Sequence, residues 1–393
     1  MKINLRLFSA VSMIAGTSIG AAMVAMPIYM ATLGTWACFF VILVSYLAML
    51  AASFFMLESN LSQEPGANLV SMSTDALGKT GYWICVTVYL MLLYCLNAAY
   101  LAEFSGSLVS SVGFPGYEAV ALFICVGMLY FIVPFSWAGR IASYLLWGLI
   151  ISYGIIMGLL STKVDIYNIH PSSWQQAPGA LFICILAFGY QIIIPSLRRF
   201  LNDDIKLLKK SIYIGSSIPF LVYLIWMMVF MLSMPYEGPF SLSTIAGDSS
   251  LRDQLPTLLA QRTGFSQLPM LFNAFVMFAI GSSLIGVSVS LFDFVKDWLK
   301  DHHQSQIMVA MIAFLPPVLS VLFYPKLFIL ALRPAGILVA VLLMILPVLN
   351  CYGLRSKGKT GTYRIQQFNV LMVFVLLSAV FMIVLDMMHL MGL

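Results

Sequence analysis

Two clusters in this sequence combine residues that a long apolar helix normally avoids. The first, Gly16 to Pro27, reads GTSIGAAMVAMP and lies in a run from Leu5 to Leu33 whose only charged residue is Arg6. The second sits inside ALFICILAFGYQIIIPSLRRF, where Phe188, Gly189, Tyr190 and Gln191 fall mid-run and Pro195 follows Gly189 by six residues. In the first cluster Pro27 follows Gly20 by seven. Such residues do their chemistry through the backbone. A helix interrupted at half depth exposes the amides that open one half and the carbonyls that close the other. The aligned dipoles make the amide end favour an anion and the carbonyl end a cation. A zwitterionic amino acid satisfies both ends at once. At Gly16 to Gly20 the outer half would present amides and the inner half carbonyls. Phe188 and Tyr190, beside the second break, could pack on an apolar or aromatic side chain. The rival reading of Gly16 and Gly20 is a GxxxG face that lets two helices approach closely.

The elements that must carry these clusters follow from composition. Of 393 residues, 61% are hydrophobic and 9% charged, and the mean hydropathy is +0.98. That balance marks an all-α integral membrane protein, because the apolar runs match the ~20 residues a helix needs to cross ~30 Å of hydrocarbon. Eleven spans are expected: Leu5 to Leu33, Trp36 to Leu57, Tyr82 to Val112, Glu118 to Phe135, Ile141 to Leu160, Ala177 to Leu197, Ile212 to Met234, Leu268 to Phe294, Ile307 to Tyr324, Phe328 to Tyr352, and Phe368 to Leu390. With the N-terminus inside, fifteen of the twenty Lys and Arg fall on the cytoplasmic side, which supports that orientation and a C-terminus outside. The net charge of +5 is then a matter of topology, and no nucleic-acid partner is expected. The first apolar stretch is too long for the h-region of a signal peptide.

The two interrupted spans, 1 and 6, stand five apart. That spacing suggests two five-helix repeats, about residues 5 to 160 and 177 to 352, followed by an extra helix at 368 to 390, all in a single transmembrane domain. Because five is odd, the repeats would have opposite topology, the plan of transporters whose discontinuous helices meet at the midplane. Orphaned backbone groups each cost several kcal/mol in lipid, so a pair of breaks implies a ligand.

Other chemistries find little support. The cysteines Cys38, Cys85, Cys95, Cys125, Cys184 and Cys351 form no CxxC and read as small packing residues. The four histidines are scattered, and no zinc motif, nucleophile elbow or Walker loop is present. No enzyme activity and no cofactor or metal is expected. The longest hydrophilic loop, Pro235 to Gln267, is far too short for a nucleotide-binding domain. What remains is secondary transport, a channel or a structural membrane protein.

Span 3 carries a stripe at helical spacing, Asn97, Tyr100, Phe104 and Ser107, which either contacts substrate, with Tyr100 foremost, or glues helices together. Glu103 lies near the edge of that stripe. It is the candidate proton carrier if it sits within the membrane, since unpaired intramembrane acids are costly, and a bland surface group if it lies near the headgroups.

At these residues the chain resembles the hydroxy/aromatic amino acid permease family of the amino acid, polyamine and organocation superfamily. The resemblance rests on GTSIGAAMVAMP, FGYQIIIPSLRRFL, SIYIGSSIPFLVYLIW, SSLIGVSVSLFDFVKD and LLMILPVLN, in family order over most of the chain. The length is closer to the tyrosine and tryptophan permeases than to the longer serine and threonine branch. The resemblance implies a leucine-transporter-like fold of five plus five helices with spans 1 and 6 broken and an eleventh added. It also implies import of tyrosine or tryptophan by proton symport across a bacterial inner membrane, with lipid around it. Carried over by position, the substrate carboxylate would meet amides around Thr17, Ser18, Ile19 and Gly20, and its ammonium the carbonyls near Ala15, Gly16, Ala187 and Phe188. Gly189, Tyr190 and Gln191, with Asn97 and Tyr100, complete the expected site. Gln191 stands where the family commonly has a histidine, and a neutral amide cannot titrate. Sodium-coupled relatives imply a second coupling option, a cation held by Gly16, Ile19, Ser282 and Ser283. The two serines beside Gly281 and Gly286 also read as close packing.

Overall fold

The computed structural model describes residues 2–30, 33–65, 67–113, 116, 120, 135–174, 177–235, 241, 255–299, 305–324, 327–359 and 361–390. The described residues are helices joined by short turns and loops, with no strand among them. Among the described residues, nine helices are long and apolar enough to cross a membrane, or ten if the pair Leu5–Ser18 and Ala22–Met30, bent by 48°, counts as one span. These ten correspond to expected spans 1 to 3 and 5 to 11. Expected span 4, Glu118 to Phe135, falls almost wholly outside the described residues, as does Cys125.

Three elements depart from expectation for physical reasons. Span 3 begins at Leu69, well before the expected Tyr82. Asn68 and Ser71 cap each other's backbone amides at 2.8 and 2.9 Å, and Leu69, Met72 and Ala76 bury one face of the short helix they start. At Gly78 the chain turns through φ 72°, ψ −152°, a backbone region only glycine adopts without strain, and then enters the membrane. Span 7 begins at Ile205 instead of Ile212, because the Asp204 carboxylate accepts the Leu207 amide at 3.0 Å and the following lysines continue the helix. Span 10, helical from Leu327 to Ser356, widens into a π-helical segment at Ala340–Ile345, immediately before Pro347, whose missing N–H interrupts the ladder there.

Packing gathers around span 1. Its first half, Lys2–Ser18, lies against span 7, Ile205–Ser233, where Gly215 leaves room for Ile14: a Cβ on that glycine would stand 2.7 Å from the isoleucine. Its second half, Ala22–Met30, lies against the first half of span 6, Ala177–Ala187. Span 8, Leu268–Leu299, packs on spans 3 and 5, with the Phe278 ring over Gly148. The largest fully buried side chains include Trp226, Tyr190, Tyr223, Phe188 and Phe275, so aromatic rings concentrate near the breaks.

One end of the bundle is tied by a polar belt. Glu58, at the end of span 2 and 2% exposed, receives Arg355 Nε at 2.6 Å, Arg355 Nη2 at 2.8 Å and the Ile365 amide at 2.7 Å. Arg198 donates to Asp203 and to the carbonyls of Asn60 and Gln63, the latter at 2.9 Å. Lys359 reaches Asp75 at 2.7 Å. At the opposite end the expected Pro235 to Gln267 loop contains a helix, Leu255–Thr263, docked through Leu255, Leu258 and Leu259 and through Arg262 Nε on the Ser233 carbonyl at 3.0 Å. His170 there is buried and its Nε2 lies 3.0 Å from the Met234 carbonyl; burial pushes its imidazole below the ordinary value. The five described cysteines are free and four are buried, in keeping with packing roles.

Candidate functional site

The first helix of span 1 stops at Ser18 and the next starts at Ala22, leaving Ile19, Gly20 and Ala21 outside both. In span 6 the helix stops at Ala187, Gly189 bends the chain at φ −76°, ψ 30°, and a 3-10 turn at Tyr190–Ile193 leads into Ile194–Phe200. The Pro195 ring suits the first turn of that last helix, where no amide partner is needed. Leu343 of the π-helical segment lies against Gly189, 3.6 Å from where its Cβ would stand. Span 10 thus supports the second break from behind.

The two breaks meet at a residue that no motif or spacing singles out. Tyr223 of span 7 donates its hydroxyl to the Ser18 carbonyl at 2.5 Å, and the same oxygen stands 3.5 Å from the Ala187 carbonyl. One turn on, Trp226 Nε1 donates to the Met23 carbonyl at 3.2 Å. Both side chains are fully buried. Their one signal in the sequence is that they fall in SIYIGSSIPFLVYLIW, among the stretches carrying the family resemblance.

Around this junction the expected residues divide. Phe188 lies between Tyr46 and Tyr223, with ring centroids 5.8 and 5.4 Å away. Tyr190 is fully buried, and its hydroxyl makes no hydrogen bond. Gln191 is fully buried, its Nε2 donating to the Met49 carbonyl at 2.8 Å and its Oε1 accepting no hydrogen bond. Ser18 likewise keeps a buried Oγ without a hydrogen bond. Tyr100 is buried in the bundle on span 3. Asn97 is engaged elsewhere: its Oδ1 accepts from Ser288 of span 8 at 2.7 Å and its Nδ2 donates to the Leu93 carbonyl, which is the helix-gluing arrangement. Thr17 is exposed and folds its hydroxyl back onto the Met13 carbonyl at 2.7 Å. Glu103 is half-buried on span 3 and engaged in an interaction.

The backbone poles sit slightly further along the chain than expected. Ser18 belongs to the first helix, and the Ile19 amide donates to the Ala15 carbonyl at 2.8 Å, so those two amides and that carbonyl are already used. At the start of the second half the Met23 and Val24 amides donate to the Gly20 and Ala21 carbonyls at 3.0 and 3.1 Å, which leaves the Gly20 and Ala22 amides without a backbone acceptor. Ser283 of span 8 meets that turn: its Oγ accepts the Ala21 amide at 3.4 Å and donates to the Ala279 carbonyl at 3.0 Å. Ser282 turns back onto the same Ala279 carbonyl at 3.1 Å. Gly16 has open space around it, whereas a Cβ on Gly20 would stand 2.5 Å from Ser283 Oγ. Gly20 is the glycine that close approach requires.

A cavity of about 890 Å³ opens beyond the second break. Ile192 and Arg199 line it from span 6, Tyr89 from span 3, and Asp293 and Asp297 from span 8, while Asp75 and Thr74 close it on the side of the short helix before Gly78.

Up to ten apolar helices among the described residues, with a bent first span, define a multi-pass membrane protein. Comparison with known proteins agrees and narrows the class. The chain matches the tryptophan/tyrosine permease family over residues 4–386, and it belongs to that family. It is 28% identical over 366 residues to a tryptophan-specific transport protein of Pseudomonas aeruginosa, covering 89% of this chain and 87% of that one. It is 28% identical to the low affinity tryptophan permease of Escherichia coli strain K12, covering 95% and 93%, and 26% identical to tyrosine-specific transport system 1 of Haemophilus influenzae, covering 94% and 93%. Among solved structures, the manganese transporter of Eremococcus coleocola, in complex with an aromatic bis-isothiourea substituted compound, superposes with a TM-score of 0.60 at 12% identity, covering 97% of this chain and 85% of that one. That likeness concerns the fold. Membership of the permease family makes the protein a transporter of aromatic amino acids in a bacterial inner membrane, and not an enzyme.

Proposed function

We propose that the breaks of spans 1 and 6 hold the substrate, tyrosine or tryptophan, and that alternating access about them couples its import to protons. The observation that carries this reading is the shared junction at Tyr223, where carbonyls closing both first helices lie within reach of one donor, beside Phe188. A carboxylate would complement the open amides of Gly20 and Ala22, an ammonium the carbonyls of Ser18 and Ala187, and an aromatic side chain the surrounding rings. Two inverted five-helix repeats account for breaks in spans five apart, and the lysine and arginine bias supports a cytoplasmic N-terminus and a periplasmic C-terminus. In that orientation the cavity lined by Ile192, Arg199 and Asp293 lies on the cytoplasmic side of the second break.

Glu103 is the proposed proton carrier, a carboxylate whose solvation would change as the bundle rocks. Sodium coupling rests on one observation, the approach of the Ser283 hydroxyl to the span 1 break. As placed, that hydroxyl caps the Ala21 amide. In proteoliposomes, uptake of labelled tyrosine or tryptophan driven by an imposed pH gradient is expected to proceed without sodium and to be lost in Glu103→Gln. Exchange between equal substrate pools should survive in that variant, since exchange needs no net proton movement. Uptake that requires sodium, is lost in Ser283→Ala and is indifferent to Glu103→Gln would refute proton coupling.

A further inference from the structure

Helix C-terminal carbonyls have no partner of their own and seek a donor, preferably a cationic one. At the junction of the breaks that need is met from within the protein. The Tyr223 hydroxyl donates to the Ser18 carbonyl at 2.5 Å and stands 3.5 Å from the Ala187 carbonyl, while its fully buried ring is held edge-on against Phe188 at 5.4 Å. One small donor therefore serves two carbonyls from two different broken spans. A substrate ammonium, with three donors and a full charge, fits the same pair better than a phenol does.

We infer that the Tyr223 hydroxyl is the resident occupant of the ammonium subsite, and that substrate binds by displacing it from the Ser18 and Ala187 carbonyls. The inference rests on the reading that the breaks form the substrate site. It gives the empty carrier a way to change conformation without stranding carbonyls in a dry junction, where an orphaned carbonyl is costly. Substrate must then replace a bond that is already made, so affinity is lower than the bare carbonyl pair would give.

The test compares two ligands on the purified full-length protein in nanodiscs: L-tryptophan, and 3-indolepropionate, which lacks only the ammonium. The readout is the ratio of their dissociation constants, which does not depend on how much of a preparation is active. In Tyr223→Phe the preference for tryptophan over indolepropionate is expected to rise about tenfold over wild type, equivalent to ~1.4 kcal/mol. A ratio that is unchanged or lower overturns the inference, as does a variant that binds neither ligand, since the hydroxyl would then support the site and not compete for it. A wild-type protein that binds tryptophan nowhere near the breaks refutes the site reading itself, and the inference with it.

Discussion

Gly20→Leu is expected to insert into the membrane at wild-type levels and to show no uptake. The glycine has no room for a side chain on the face it turns to span 8: even a Cβ would stand 2.5 Å from Ser283 Oγ. An alanine could be admitted if Ser283 rotated, at the loss of its bond to the Ala21 amide, so Gly20→Ala should keep partial uptake. A leucine must displace span 8 or fill the break, and either removes the open amides that begin the second half of span 1. Folding should survive, because span 1 draws its packing from elsewhere: the first half from span 7 and the second from span 6. Labelled tryptophan uptake in cells, normalised to membrane-inserted protein, checks this. Wild-type uptake in Gly20→Leu would make span 1 a packing helix.

Stability should be most sensitive at the other end of the molecule. Arg355→Met is expected to cost about 3 to 5 kcal/mol, the usual penalty for stranding one partner of a buried ion pair. Glu58 is 2% exposed and has two of its three bonds from Arg355, with the third from the Ile365 amide. The Arg355 guanidinium also lies over the Phe368 ring at 3.8 Å, so the substitution loosens the start of span 11 as well. Adding Glu58→Gln removes the stranded charge and should recover much of the loss. Melting temperatures of the purified single and double variants decide the matter: equal values for both would mean the charge on Glu58 is not what makes the single variant unstable.

What could be read from sequence was local. Glycine and proline act through their own dihedrals, so the positions of both breaks were legible in GTSIGAAMVAMP and AFGYQIIIP before any neighbour was known. The spans were legible because their apolar runs are long. Their ends were less so: Asp75 and Lys79 suggest a loop, yet Leu69, Met72 and Ala76 form a buried helical face once Gly78 turns the chain. The Asn68 and Ser71 pair that caps this helix was the available signal.

Side-chain partnerships across helices were not legible. Tyr223 shares its one sequence signal, a place in SIYIGSSIPFLVYLIW, with Tyr213, and nothing more separates it from the other tyrosines in a chain that has 18. Its role depends on which face of span 7 meets the breaks, and that is fixed by close approach at Gly215 and by Trp226 one turn away. Asn97 shows the converse. Its place on a polar stripe left substrate contact and helix gluing both open, and its bond to Ser288 across the interface is of the gluing kind. The polar atoms left without partners, Ser18 Oγ and Gln191 Oε1, are visible only once the packing is known.

The central claim is that the backbone poles of spans 1 and 6 are the substrate site. An experimental structure of the protein determined in saturating L-tryptophan, at a resolution that shows the ligand, tests it most directly. The amino acid is expected at the junction of the two breaks, its carboxylate facing the Gly20 and Ala22 amides, its ammonium on the carbonyls of Ser18 and Ala187, and its indole beside Phe188. Tryptophan found instead in the cavity between Arg199 and Asp293, with the Tyr223 bridge intact and the junction closed, would contradict it.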